Sequence, residues 1–163
     1  IKMKNIDTLI KALEKIKFYK RKVYLVIVGS GPEKENLISL TASLNLSKQV
    51  YFMGYRTDIA PIISAVDIGC LVSDYESFGI PIIEFLSMEK QVITTNTGIA
   101  QEVSKYVKIV NRQNLVNNVV KAVTELNKKS KPKINRSRIL EKYSVASYFQ
   151  QLEHFYLSLN IKK

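Results

Sequence analysis

Two glutamates bracket a turn that should begin a helix, in the window Glu76-Ser77-Phe78-Gly79-Ile80-Pro81-Ile82-Ile83-Glu84. Pro81 suits the first helical position, and the backbone N–H groups from Phe78 to Ile80 would face outward at the positive end of the helix dipole. Such a helix end binds anions. The amides could therefore hold a diphosphate while one carboxylate reaches a sugar and the other a ribose. The window predicts a nucleotide-sugar site.

The competing interpretation is an ordinary buried helix preceded by a solvated Glu76. The residues upstream favour the site, because Val66 to Val72 reads as a buried strand and Ser73-Asp74-Tyr75 as a loop. A strand, a loop and a helix N-terminus in this order form the phosphate-binding arrangement of open α/β sheets.

Helical and strand-like segments alternate along the rest of the chain, which predicts a mainly parallel sheet with helices on both faces. The predicted strands are Val23 to Val28, Val50 to Met53, Val66 to Val72, Val92 to Thr95 and Val107 to Val110. The predicted helices are Ile6 to Phe18, Glu33 to Leu44, one capped by Asp58 and ending near Ala65, one beginning at Pro81, Ile99 to Ser104, Gln113 to Leu126, Ser137 to Tyr143 and Val145 to Leu159.

The sequence resembles the C-terminal donor-binding domain of the retaining glycosyltransferases of family 4, also called glycosyltransferase group 1, which have the GT-B architecture. The two acids have that family's E-x7-E spacing, and the similarity extends to four further segments, Lys4 to Ile10, Leu25 to Pro32, Val50 to Arg56 and Val92 to Thr95. The resemblance implies one Rossmann-like three-layer α/β/α domain over residues 1–163, forming half of a GT-B enzyme.

The resemblance also implies an activity, the transfer of a hexose from a nucleoside diphosphate sugar to a glycan or lipid-linked acceptor in cell-surface polysaccharide biosynthesis. Lys4 and Glu76 would be catalytic, with Glu76 on the transferred sugar. The donor-binding groups would be the amides of Phe78, Gly79 and Ile80 on the diphosphate, Glu84 on the ribose, and Tyr55 and Arg56 beside the base. Lys4 and the amides would stabilise the departing diphosphate, so no metal or other cofactor is expected.

The chain departs from the family pattern in its turns. Asn5 stands where the family usually has Gly, Glu89 and Gln91 stand where it has Gly and Pro, and Gly98 is followed by Ile99 rather than by a second Gly. The family's first strand, which ends in Gly-Arg, would precede Lys4. We therefore expect a fragment that lacks this strand and the N-terminal acceptor-binding domain, and that is inactive in transfer by itself.

A net charge of +11 and a pI near 9.7 leave three interpretations open. A solvated basic surface is the first, and contact with an anionic membrane face is the second. Nucleic acid is disfavoured, because the basic residues are not interleaved with aromatic side chains. The basic residues concentrate at Lys20, Arg21, Lys22, Lys128, Lys129, Lys131, Lys133, Arg136, Arg138 and Lys142. The single cysteine, Cys70, favours a reducing cytoplasm. The basic charge leaves open a peripheral location on the inner face of the membrane.

Two other functions remain as alternatives to the transferase. One is a non-catalytic nucleotide-binding or partner-docking domain, and the other is half of a GT-B sugar epimerase. A dinucleotide fingerprint is disfavoured because Lys34 replaces the third glycine after Gly29-Ser30-Gly31. His154, the single histidine, is expected to be a packing or surface residue rather than a catalytic one.

Overall fold

Helices and strands alternate in the computed structural model, which describes residues 2–16, 22–126, 134 and 136–158. The strands are β1 (Leu25–Val28), β2 (Val50–Gly54), β3 (Ile68–Leu71), β4 (Gln91–Thr95) and β5 (Lys108–Val110). The helices are α1 (Ile6–Ile16), α2 (Lys34–Ser43), α3 (Ile59–Ala65), α4 (Ile80–Ser87), α5 (Leu115–Leu126), α6 (Arg136–Tyr143) and α7 (Val145–Ser158). Short 3-10 turns occupy Lys2–Lys4 and Gly98–Ala100.

All strand pairs are parallel, and they form two separate ladders. β1 pairs with β2, with Leu25 opposite Val50. β4 lies between β3 and β5, with Ile93 opposite both Cys70 and Lys108. Parallel strands joined through helices confirm the predicted α/β class. The division into two ladders was not predicted.

The core is built around β4, whose five residues are all buried. Its side chains alternate between two hydrophobic clusters, as the pleat of a strand requires. Ile93 belongs to the cluster that contains Leu9 of α1 and Val119 of α5. Val92 belongs to the cluster that contains Ile82 of α4 and Ile139 of α6. Helices therefore cover both faces of the β3–β4–β5 ladder, as the sequence predicted.

The β1–β2 ladder is covered less completely. Ile10 and Leu13 of α1 pack with Val50 at the start of β2 in a third cluster. Tyr51 and Met53, the alternate residues of β2, are exposed, and the Tyr51 ring lies 6.1 Å from the ring of Tyr24. One face of this ladder is therefore largely open to solvent.

Cys70 has the packing role expected of a strand residue. Its side chain packs against the cluster that contains Ile93, and burial raises the pKa of the Cys70 thiol to about 12. The thiol is therefore protonated at neutral pH and unreactive as a nucleophile.

Most predicted boundaries differ from the observed ones by one or two residues, and three differences lie in the segments near the candidate site. The predicted strand Val66 to Val72 shortens to β3, because the backbone N–H of Val66 bonds to the carbonyl of Ile63 and closes α3. The predicted helix Ile99 to Ser104 is a 3-10 turn, Gly98–Ala100, followed by further turns. α4 begins at Ile80, so that Pro81 is its second residue, where its missing N–H is still harmless. The predicted helix ends at Phe18 and Leu159 lie outside the described residues.

Candidate functional site

The candidate site lies at the carboxyl end of β3. Ser73 and Asp74 follow this strand, and the backbone N–H of Asp74 donates a 2.8 Å hydrogen bond to the carbonyl of Met3. This bond holds the turn Lys2–Lys4 against the loop after β3. Lys4 and Glu76 are thereby brought together although 72 positions separate them in the sequence.

Lys4, Ser73 and Glu76 form the polar centre of the site. Lys4 Nζ lies 2.7 Å from Glu76 Oε1, and Ser73 Oγ donates a 2.6 Å hydrogen bond to the same oxygen. The Glu76 side chain is 13% exposed, the Lys4 side chain 46%. Among the described residues both bonds go to Oε1, so the lone pairs of Oε2 are available to a ligand.

The surroundings of Glu76 keep it ionised. Partial burial pushes its pKa upward, but hydrogen bonds from Lys4 and Ser73, together with the charge of Lys4, outweigh this and lower the pKa below its ordinary value. At neutral pH the site therefore presents a carboxylate and an ammonium group in contact.

The turn before α4 has the backbone shape that a helix N-terminus needs for a ligand. Gly79 has a φ of +90° and its carbonyl accepts the Ile82 N–H at 2.9 Å, which starts the helix. Phe78 and Ile80 have exposed side chains. The Phe78 ring packs edge-on against Tyr143 of α6, with 6.5 Å between centroids. Glu76 precedes Phe78 by two residues, so the amides at this helix end follow it directly in the chain.

Glu84 lies on α4 about one turn beyond Ile80 and is half-buried. The two glutamates thus stand on either side of the αL turn at Gly79, in the arrangement the window predicted. Their individual roles toward a ligand remain predictions.

Tyr55 and Arg56 lie at the end of β2, in the other ladder. Tyr55 is 76% exposed. Arg56 binds Asp58 through two hydrogen bonds, Nε to Oδ1 at 2.8 Å and a terminal nitrogen to Oδ2 at 2.6 Å. Asp58 precedes α3 as predicted but makes no side-chain capping bond, because its carboxylate is engaged by Arg56. A role for these residues beside the base stays a prediction.

Three contacts that shape the site were not predicted from the sequence, and they involve Ser73, Thr95 and Gly98. Ser73 was treated only as part of a loop, whereas its hydroxyl binds Glu76. Its carbonyl accepts a 2.5 Å hydrogen bond from Thr95 Oγ1 at the end of β4. A Cβ on Gly98, whose φ is +53°, would lie 2.4 Å from the Phe78 carbonyl oxygen. The absence of a second glycine after Gly98 was noted in the sequence, but this contact could not be foreseen.

The predicted basic cluster is described only in part. Residues 128–133 and residues 20 and 21 lie outside the described ranges. Within those ranges Lys142 forms a 2.5 Å ion pair with Glu102, and His154 is exposed on α7.

Within the described ranges, no three His, Cys, Asp or Glu side chains converge in a metal-binding arrangement. None of the described helices has the length and apolar character of a membrane span.

Comparison with known sequences identifies relatives. The family described as Glycosyl transferases group 1 matches residues 1–139. The O-antigen biosynthesis glycosyltransferase WclY of Escherichia coli is 34% identical over 101 residues, which cover 62% of this chain and 28% of that protein. The chain thus aligns with little more than a quarter of this curated relative's length.

Solved structures share the fold. Anabaena Alr3699/HepE, solved in complex with UDP, superposes with a TM-score of 0.81 at 23% identity, covering 97% of this chain and 46% of HepE. The C-terminal domain of the group 1 glycosyl transferase LpcC from Francisella tularensis superposes with a TM-score of 0.75 at 23% identity, covering 89% of this chain and 82% of that domain. Both confirm the α/β architecture.

The lowered pKa of Glu76 predicts a pH-dependent contribution to stability. Because the unfolded chain takes up this proton at a higher pH than the folded chain, the stabilisation is complete above about pH 5 and is lost as the pH falls through the folded-state pKa. Glu76→Gln should lower the free energy of unfolding by up to about 1 kcal/mol at pH 7, because the pair is partly exposed. Urea unfolding at a series of pH values below 5 should show this difference shrinking as Glu76 becomes protonated in the folded chain. A difference that stays constant across the series would contradict the assignment.

Gly98→Ala should destabilise the protein and disturb the turn at Phe78. The new Cβ would meet a backbone oxygen at 2.4 Å and would also occupy a left-handed conformation, so we expect a loss of roughly 2–4 kcal/mol in unfolding free energy. Gly54→Ala is the matched control, because Gly54 has a φ of +66° and no described atom within 4 Å of its would-be Cβ. Equal losses in the two variants, measured by urea unfolding, would show that the Phe78 contact is unimportant.

Proposed function

This chain belongs to the Glycosyl transferases group 1 family, and we propose that it binds the donor, a nucleoside diphosphate hexose, for a retaining glycosyltransferase of cell-surface polysaccharide biosynthesis. The main support for this proposal is the contact between Lys4 and Glu76 just before the N-terminus of α4. An ammonium group, a carboxylate and free helix amides are the three kinds of group that such a donor requires.

Transfer breaks the bond between the anomeric carbon and the diphosphate, and negative charge builds on the departing oxygens. The amides around Gly79 and the positive end of the α4 dipole would stabilise this charge. The Lys4 ammonium has three N–H donors, so it can keep its bond to Glu76 while donating to a phosphate oxygen. This arrangement supports diphosphate binding by protein groups.

The two glutamates would hold the two sugars of the donor. Glu76 would accept a hydrogen bond from a hydroxyl of the transferred hexose through Oε2, because Oε1 already accepts bonds from Lys4 and Ser73. Glu84 lies one turn further along α4, on the far side of the diphosphate-binding turn, and would accept bonds from the ribose hydroxyls. This order matches the order of the groups in a nucleotide sugar.

Relatives support the substrate class. HepE has been solved with UDP-glucose, with a TM-score of 0.78 to this chain, and WclY acts in O-antigen biosynthesis by its name. We infer that the acceptor is held by a second domain of the longer protein, since the matched segment of WclY is 28% of its length. Transfer would then need both parts, because catalysis by positioning depends on holding donor and acceptor in one cleft.

Glu84→Ala should weaken UDP binding by about 10- to 100-fold, because a charged acceptor loses its bonds to a ligand that contains a ribose. Glu76→Ala should change the affinity for UDP by less than about twofold, yet weaken UDP-glucose binding by about fivefold or more. Isothermal titration calorimetry with each ligand measures both effects.

Glu35→Ala is the matched control, because Glu35 is an exposed residue near the start of α2, the helix that joins β1 to β2. It should leave both affinities unchanged. A large loss of UDP binding in Glu76→Ala would overturn the division of roles. The absence of binding for uridine, guanosine, adenosine and thymidine diphosphates alike would contradict nucleotide binding itself.

UDP binding should survive removal of divalent metal. Lys4 and the α4 amides supply the positive charge that a diphosphate needs, so the dissociation constant in excess EDTA should stay within about threefold of its value in magnesium. The two titrations differ only in the added metal. A loss of affinity in EDTA that magnesium or manganese restores would show that a cation completes the site.

A further inference from the structure

Asn5 follows Lys4 directly and has a left-handed backbone, with a φ of +50°. Asparagine is one of the few residues with a Cβ that enter this region readily. Glycine would serve the same backbone shape with less strain. Backbone conformation alone therefore does not account for an asparagine at this position, and its side-chain contacts become the relevant observation.

The side-chain amide of Asn5 reaches across to the loop after β3. Its Nδ2 donates one 2.9 Å hydrogen bond to the carbonyl of Val72 and another, also 2.9 Å, to Oδ1 of Asp74. Both N–H donors of the amide are thereby used. Asn5 is half-buried, so these bonds are partly shielded from water.

The two acceptors of Asn5 flank Ser73, the residue whose hydroxyl binds Glu76. The same loop is tied from other directions, because the Asp74 N–H donates to the Met3 carbonyl and Arg112 donates to the Asp74 carbonyl. Asn5 thus links the backbone that carries Lys4 to the backbone that orients Glu76.

We propose that Asn5 is a positioning residue, which fixes the backbone of Lys4 at the diphosphate end of the site without touching the donor. The effect of this role on donor binding rests on the proposed function. The two hydrogen bonds of the Asn5 side chain are present in the ligand-free chain. Lys4 is a long side chain with 46% exposure, and the position of its backbone sets the region that its ammonium group can reach. Fixing that backbone lowers the entropy lost when the ammonium group binds a phosphate.

The test compares Asn5→Gly with Asn45→Gly. A glycine at position 5 accepts the positive φ, so this substitution removes the two side-chain hydrogen bonds without straining the backbone. Asn45 has a φ of +55° and lies exposed just after α2, so it controls for the change of residue type. Asn5→Gly should weaken UDP binding about fivefold, whereas Asn45→Gly should leave it unchanged.

A double variant separates positioning from general stability. If Asn5 acts through Lys4, Asn5→Gly should have no further effect on UDP affinity in the Lys4→Ala background. A purely structural role would give additive losses. Asp74→Ala, which removes one acceptor, should give a smaller loss than Asn5→Gly, and Asp74→Asn, which keeps a side-chain carbonyl, should restore binding.

A ligand-free measurement keeps this test independent of the proposed function. The acetylation rate of Lys4 by a water-soluble succinimidyl ester, followed by peptide mass spectrometry, should rise about threefold or more in Asn5→Gly, as it should in Glu76→Gln. An unchanged rate in Asn5→Gly beside an increased rate in Glu76→Gln would overturn the proposal. If the wild-type chain fails to bind UDP, the proposed function fails, and this rate still decides the role of Asn5.

Discussion

The parallel alignment of β3, β4 and β5 is the constraint on which the candidate site depends. Because the strands point the same way, the segments that follow them emerge at one edge, and the Thr95 hydroxyl can bind the Ser73 carbonyl at 2.5 Å. β4 is buried along its whole length. A slip of one residue would exchange Val92 and Ile93 between the two cores, which fixes the register. Lys4 contacts Glu76 because the segment around Lys4 is bonded to this edge, through Met3 to Asp74 and through Asn5 to Val72 and Asp74.

Left-handed backbone recurs around that edge and gives the turns their directions. Gly79 begins α4 with a φ of +90°, Gly98 abuts the Phe78 carbonyl with +53°, and Asn5 follows Lys4 with +50°. A residue with a Cβ is destabilised by roughly 1–2 kcal/mol in the left-handed region. This cost explains why positions 79 and 98 are glycines. Asn5, which departs from the glycine usual in the family, accepts the same conformation and adds two hydrogen bonds. The departure therefore preserves the turn.

The spacing of apolar residues predicted helices and strands well where one face of the element, or the whole element, is buried. α1 and β4 follow their apolar patterns closely, and the glutamate window was placed correctly between a strand and a helix. The bond from Ser73 to Glu76 was not predictable, because it depends on how the loop after β3 bends within three residues. The exposure of Tyr51 and Met53 was not predictable either, since a β-branched or aromatic strand pattern does not say which face a neighbouring element covers. Local pattern determines elements, whereas loop geometry and coverage depend on the whole chain.

The net charge of +11 does not determine the electrostatics of the site. Lys142, a described member of the basic segment, is already paired with Glu102. Lys4 is likewise balanced by Glu76, so the ligand-free centre is close to neutral. Attraction for the proposed diphosphate would then come from short-range donors, namely the α4 amides and the N–H groups of Lys4 that Glu76 does not occupy. Such donors act only at hydrogen-bond distance, so recognition would depend on geometry more than on total charge, and the backbone that fixes Lys4 would matter alongside the ammonium group itself.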